Sequence, residues 1–147
     1  MKDKKIVLAP AKLNIFLKIL GKRKDNYHEI RSGITFINLF DKIEIEESIK
    51  TTVSYKGIFM PESGKYDDCI INKTLDFLGL KNNLQLKITI NKNIPVQGGL
   101  GSASTNAAAL IRGLEQMNFI EKKRPEEYAS LGADVPCFLF NKDCLVT

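Results

Sequence analysis

The segment Pro95-Val-Gln-Gly-Gly-Leu-Gly-Ser-Ala-Ser-Thr-Asn-Ala-Ala-Ala109 constrains this chain more than any other. Before it, Leu84, Leu86, Ile88 and Ile90 alternate with Gln85, Lys87 and Thr89, the pattern of a half-buried strand. After it, Leu110, Ile111, Leu114 and Met117 recur at helical spacing. A glycine-rich turn from strand to helix lets backbone N–H groups close on an anion, and the helix N-terminus adds partial positive charge, so phosphate is the natural ligand. The segment lacks the Gly-Lys-Ser/Thr ending of a Walker A loop, and Gly99-x-Gly101-x-x-Ser104 fits a dinucleotide fingerprint only loosely. On spacing alone it reads equally as a tight turn with Ser104 or Thr105 capping the helix.

The flanking sequence supplies the rest of one domain, as a length of 147 residues suggests. Strand patterns run over Ile6–Ala9, Asn14–Leu20, Gly33–Leu39 and around Ile43 and Ile45. A charged loop from Lys22 to Glu29 carries Asp25-Asn26 as its turn. The stretch from Lys56 to Asp68 reads as irregular, and Ile71, Leu75 and Leu78 predict a helix stopped by Gly79. Pro125 opens a short helix with Glu126 and Glu127 in its first turn and Gly132 at its end. The apolar run Cys137–Phe140 suits a buried strand, and Leu145–Thr147 the start of another.

Lysine and arginine total 22 against 17 aspartate and glutamate, a net charge of +5 that favours anionic partners without naming their class. The basic runs Lys2-Lys4-Lys5, Lys22-Arg-Lys24 and Lys122-Lys-Arg124 lack interleaved aromatics, so they read as solvated faces and no nucleic-acid partner is expected. No stretch approaches the roughly 18 apolar residues of a membrane span, and the run Ile6–Ala9 is too short for a signal-peptide core. The chain is therefore expected in the cytoplasm, away from membranes. Cys69, Cys137 and Cys144 are odd in number and widely spaced, with His28 the sole histidine, so neither a disulfide framework nor a zinc site is indicated. They read as reduced thiols, with at least Cys69 and Cys137 packed in the core.

Four separated motifs carry a family resemblance: Ala9-Pro-Ala-Lys-Leu-Asn-Ile-Phe-Leu17, Asn26-Tyr-His-Glu-Ile30, Pro95 to Ala108, and Gly132-Ala-Asp-Val-Pro136. In this order they resemble the GHMP kinases, the superfamily of galactokinase, homoserine kinase and mevalonate kinase. Within it they look like the branch that phosphorylates a hydroxyl of a cytidine-diphosphate-linked methylerythritol, on the non-mevalonate route to isoprenoid precursors. The resemblance runs from Ala9 to about Phe140. It implies an α+β fold of the ribosomal protein S5 domain 2-like type, ATP as phosphate donor, Mg²⁺, and a small-molecule acceptor.

The resemblance also implies roles. Pro95, Val96, Gln97, Gly98, Gly99, Leu100, Gly101, Ser102, Ala103, Ser104 and Thr105 match the ATP-holding motif. Asp134 matches a catalytic base for the acceptor hydroxyl, and Lys12 the ammonium that pairs with it and stabilises the developing alkoxide. Tyr27 and His28 match a pocket for the cytosine base, and Asn14, on the strand face of Lys12, a substrate contact. Without the family, Asp134 is a loop residue, Lys12 a solvated strand lysine and His28, the lone histidine, a surface or satisfied core residue. Asn26 stands where these kinases carry glycine, a change that left-handed backbone accommodates. Residues 1–147 are expected to form the N-terminal ATP-binding domain, with the C-terminal GHMP domain absent. A nucleotide-binding remnant that transfers nothing, and a basic RNA-associated domain of the same fold, are the rival readings.

Overall fold

The computed structural model describes residues 3–26, 28–62, 69–96, 98–140 and 144–146, with backbone alone at 28–30 and 144–146. Among them are β1 (Lys4–Lys22), β2 (His28–Glu47), β3 (Thr52–Lys56), α1 (Ile70–Phe77), β4 (Leu86–Asn91), α2 (Ser102–Gln116), a 3₁₀ turn (Pro125–Leu131), α3 (Val135–Phe140) and β5 (Cys144–Val146). The strands form one mixed sheet in the order β1-β2-β4-β3, and β5 pairs with β2. Among the described strands only β3 and β4 run parallel, which demands a crossover, and α1 supplies it. This is the α+β class expected.

Inward-facing positions alternate along the sheet. Ile43, Ile45, Ile88 and Ile90 are all fully buried, each worth about 1.5–3 kcal/mol over an exposed side chain. They pack with Val7 and Ala9 of β1, Ile71 and Leu75 of α1, and Leu110 and Leu114 of α2. A second cluster joins Ala107, Ala108 and Ile111 of α2 to Tyr128, Val135 and Phe138. At Gly113 a Cβ would lie 2.5 Å from Ile45 Cδ1, so only glycine lets α2 sit this close to the sheet.

Two expectations change. The four strand patterns of the first third merge into β1 and β2, a long hairpin with register shifts at Pro10/Ala11, Asn14/Phe16 and Ile19/Gly21. Bulges let each strand change face and continue, and β1, at the sheet edge, tolerates Pro10. The run Cys137–Phe140 is helical rather than extended: it belongs to α3, whose second residue is Pro136. Proline lacks an N–H and fits a helix's first turn, and the run is too short for periodicity to separate strand from helix.

Other expectations hold. Asn26 is left-handed, with φ 68°, in the turn between β1 and β2. Gly79 follows α1, Gly132 ends the 3₁₀ turn, and β5 forms the further strand. Cys137 is buried, but Cys69 is half-buried and its Sγ accepts the Asn72 amide at 3.5 Å, capping α1. No helix among the described residues is long and apolar enough to cross a membrane.

Candidate functional site

Three segments far apart in sequence meet at Lys12. Its backbone N–H donates to Leu100 O at 2.9 Å, which fastens the glycine loop to the edge of β1. Its side chain runs under Gly101, where a Cβ would meet Lys12 Cγ at 2.9 Å and Phe138 Cζ at 2.7 Å. Its Nζ lies 3.2 Å from Asp134 Oδ2 and 3.3 Å from Asn14 Oδ1. Lys12 is 8% exposed, so its solvated-lysine reading is wrong. The pairing with Asp134 explains how an ammonium is tolerated there.

Asp134 is placed by the segment that carries it. Its carbonyl accepts the Phe138 amide at 3.2 Å, and Val135 N–H donates to Gly132 O at 3.1 Å. Phe138 is buried against Phe36, ring centroids 5.3 Å apart, so α3 cannot slide. Arg112 of α2 donates to Phe138 O at 2.9 Å and to Leu8 O at 3.1 Å, tying α3 to β1. Gly132 passes close to α2, where a Cβ would lie 3.2 Å from Ser104 Oγ. The carboxylate is thus held beside the first turn of α2, with its side chain 28% exposed and open to a ligand.

The glycine loop ends at Gly101, φ 73°, the N-cap of α2, and no side chain among the described residues caps the helix. The capping role considered for Ser104 or Thr105 is therefore not taken up. Both lie inside the first turns of α2, and Thr105 Oγ1 is buried with no hydrogen-bond partner among the described residues. Amides at the start of α2 are left for a ligand or water, and the helix end favours an anion. Beside the loop lies an open hollow of about 830 Å³, lined among the described residues by Ile58, Phe59, Met60, Pro61 and Glu62 on one side and Pro95, Val96 and Gly98 on the other.

Asn14 also accepts from Ser32 Oγ at 3.1 Å, so the lysine, the asparagine and β2 form one polar patch. Tyr27 and Gln97 lie outside the described residues, as does the side chain of His28, whose backbone opens β2.

Sequence reasoning missed a buried charged group behind the loop. Asp41 Oδ2 accepts from Lys92 Nζ at 2.5 Å and Asn106 Nδ2 at 2.9 Å, and Oδ1 accepts the amides of Asn93 at 2.6 Å and Ile94 at 2.8 Å. Lys92 Nζ also donates to Asn106 Oδ1 at 2.8 Å and to Ser102 Oγ. Burial pushes the Lys92 ammonium below its ordinary value, and Asp41 opposes that shift. The signal was there to read: Lys92 continues the inward parity of Leu86, Ile88 and Ile90, and Asp41 that of Ile43 and Ile45.

The family model described as the GHMP kinases N terminal domain matches residues 69–142, half of the chain. A 4-diphosphocytidyl-2-C-methyl-D-erythritol kinase of Syntrophus aciditrophicus is 36% identical over 92% of this chain and 50% of its own length. One from Fervidobacterium nodosum is 38% identical over 92% of this chain and 48% of its own. The chain spans about half the length of the curated relatives it matches. The crystal structure of a 4-(cytidine 5'-diphospho)-2C-methyl-D-erythritol kinase superposes with a TM-score of 0.76 and 26% identity, covering 97% of this chain and 51% of that one. A mevalonate pyrophosphate decarboxylase from Streptococcus pyogenes shares the fold, with a TM-score of 0.67 at 16% identity over 98% of this chain and 48% of that one.

Proposed function

The chain belongs to the GHMP kinase family through its N-terminal domain, and from that premise we propose that it serves the ATP-dependent phosphorylation of a hydroxyl on 4-diphosphocytidyl-2-C-methyl-D-erythritol, the acceptor in the names of its relatives. The observation that supports this best is the Lys12–Asp134 ion pair at 3.2 Å, set beside an uncapped helix N-terminus. Residues 1–147 act in this reading as the ATP-binding domain of a step in non-mevalonate isoprenoid precursor synthesis. That step runs in the cytoplasm, where reduced thiols such as Cys69 and Cys137 are ordinary.

Each residue then has a task. Backbone amides from Pro95 to Thr105 hold the triphosphate, and the apolar hollow beside them takes the flat base. Asp134 accepts the proton of the acceptor hydroxyl as its oxygen attacks the γ-phosphorus and ADP departs, while the Lys12 ammonium offsets charge on the alkoxide. Asn14, held by Lys12 and Ser32, orients the acceptor, and Tyr27 and His28 recognise its cytosine end. Mg²⁺ neutralises phosphate charge when bound. The ion would be held chiefly by the phosphate oxygens, and Asp134, the carboxylate beside the loop, would reach it through its waters rather than as a direct ligand, which leaves the carboxylate free to take the proton.

Isothermal titration with ATP and a coupled ADP-release assay with the diphosphocytidyl acceptor test the proposal. The expected result is ATP binding plus acceptor-dependent ADP release that disappears in Asp134→Asn. ATP binding without acceptor-dependent ADP refutes transfer by this chain and leaves a nucleotide-binding domain. Salt-sensitive RNA binding that survives substitution of Asp134 and Lys12 points instead to an RNA-associated role.

A further inference from the structure

The glycine loop has two stems, and one buried carboxylate grips both. On the entry side, Asp41 takes the side chain of Lys92 and the amides of Asn93 and Ile94. On the exit side it takes Asn106 directly, and Lys92 reaches Asn106 and Ser102. All three hydrogens of the Lys92 ammonium have acceptors, and both oxygens of Asp41 carry two donors. Side-chain exposure is 0% for Asp41 and 5% for Lys92, so neither group reaches a ligand held at the loop.

Such a cluster is poorly explained by stability alone. Moving two charges out of water costs about as much as their attraction returns, and well-packed apolar replacements are often neutral or stabilising. What a fully bonded polar network supplies that an apolar core does not is a single geometry. Here the geometry fixed is the spacing between residues 92–94 and 102–106, the two ends of the loop.

We propose that Asp41 and Lys92 are positioning residues that set the width of the glycine-loop cradle through Asn93, Ile94, Ser102 and Asn106, and thereby set affinity for the phosphate end of a nucleotide. The ligand assignment rests on the reading of the loop as the triphosphate site. The network fixes the loop through its hydrogen bonds whatever the ligand.

The test uses the double variant Asp41→Leu/Lys92→Met, which replaces the ion pair by apolar side chains, with titration of ATP and of adenosine. Amide hydrogen exchange is followed at Gly98–Ala103. The expected result is an ATP Kd about tenfold or more higher and an adenosine Kd changed less than about twofold, because a misplaced cradle loses the phosphates and not the base. Exchange at the loop rises about tenfold while that of β4 is unchanged. Equal losses for both ligands, or loop exchange unaltered from the wild type, overturn the proposal. If the double variant does not fold, Asn106→Ala, which removes the direct tie from Asp41 to the exit stem and leaves that stem held only through Lys92 and Ser102, carries the same measurements with the same two outcomes. Should the wild type bind neither ligand, the triphosphate reading has failed and loop exchange alone decides: faster in the variant supports the positioning role, unchanged refutes it.

Discussion

Gly101→Ala is the sharpest probe of how the loop, Lys12 and α3 depend on one another. Gly101 sits at φ 73°, where an L side chain costs about 1–2 kcal/mol. A Cβ there would lie 2.7 Å from Phe138 Cζ and 2.9 Å from Lys12 Cγ. Phe138 is 1% exposed and Lys12 8%, so neither can swing into solvent, and overpacking of this kind costs about 1–3 kcal/mol more. The sum, about 2–5 kcal/mol, is a large part of the 5–15 kcal/mol typical of a domain. Gly99→Ala is the internal control: φ is 68°, but nothing lies within 4 Å of its Cβ, so only the conformational cost of about 1–2 kcal/mol applies. Urea unfolding of both variants isolates the contact with Phe138 and Lys12 as the difference, expected at about 1–3 kcal/mol with m unchanged. Two variants equal within about 0.5 kcal/mol would refute the claim that Gly101 is required by close approach rather than by its backbone angle alone.

Lys12→Met is expected to lower acceptor-dependent ADP release by about a hundredfold or more while the ATP Kd stays within about threefold, and a loss confined to ATP binding would remove Lys12 from the transfer step. At Gly113, alanine gains about 1 kcal/mol of helix propensity but sets a Cβ 2.5 Å from Ile45 Cδ1 and 3.1 Å from Val7 Cγ2. Overpacking of about 1–3 kcal/mol wins, so Gly113→Ala lowers the urea midpoint, and a raised midpoint contradicts the close packing of α2 on the sheet. The Tyr128 hydroxyl is buried without a partner among the described residues, so Tyr128→Phe is neutral or stabilising by up to about 1 kcal/mol at neutral pH. Burial, then Glu115 and Glu127, raise its phenol above 10.0, so the stability tied to this group is complete below about pH 10 and is lost as pH climbs through the folded value. The phenylalanine variant loses that alkaline slope in urea titrations, and a slope identical to the wild type's refutes the assignment.

Much of the architecture was legible because burial and period coincided. Leu86, Ile88 and Ile90 alternate and face the core, and Ile71 and Leu75 fall on one face of α1. Legibility failed where they did not coincide. In the outer half of the β1–β2 hairpin, Ile15 is 67% exposed, Leu17 61% and Ile19 63%, so apolarity there does not report an inside among the described residues and the sequence pattern breaks a continuous strand into separate pieces. In α3, six residues are too few for a period, and Pro136, a signal for the first turn of a helix, was the deciding residue. Lys12 and Asp134 were reached only through family motifs, because the contact that gives them meaning spans three chain segments. Asp41, Lys92 and Asn106 needed no family. Lys92 shares the parity of Leu86, Ile88 and Ile90, Asp41 that of Ile43 and Ile45, and Asn106 lies one helical turn before Leu110 on the buried stripe of α2. Three polar residues at core positions, inside β2, just past β4 and in the first turns of α2, must satisfy each other, since unpaired they would cost several kcal/mol apiece. Strand parity and helical spacing together therefore name these partners, and the glycine loop that follows Lys92 and precedes Ser102 is the part of the chain their pairing fixes.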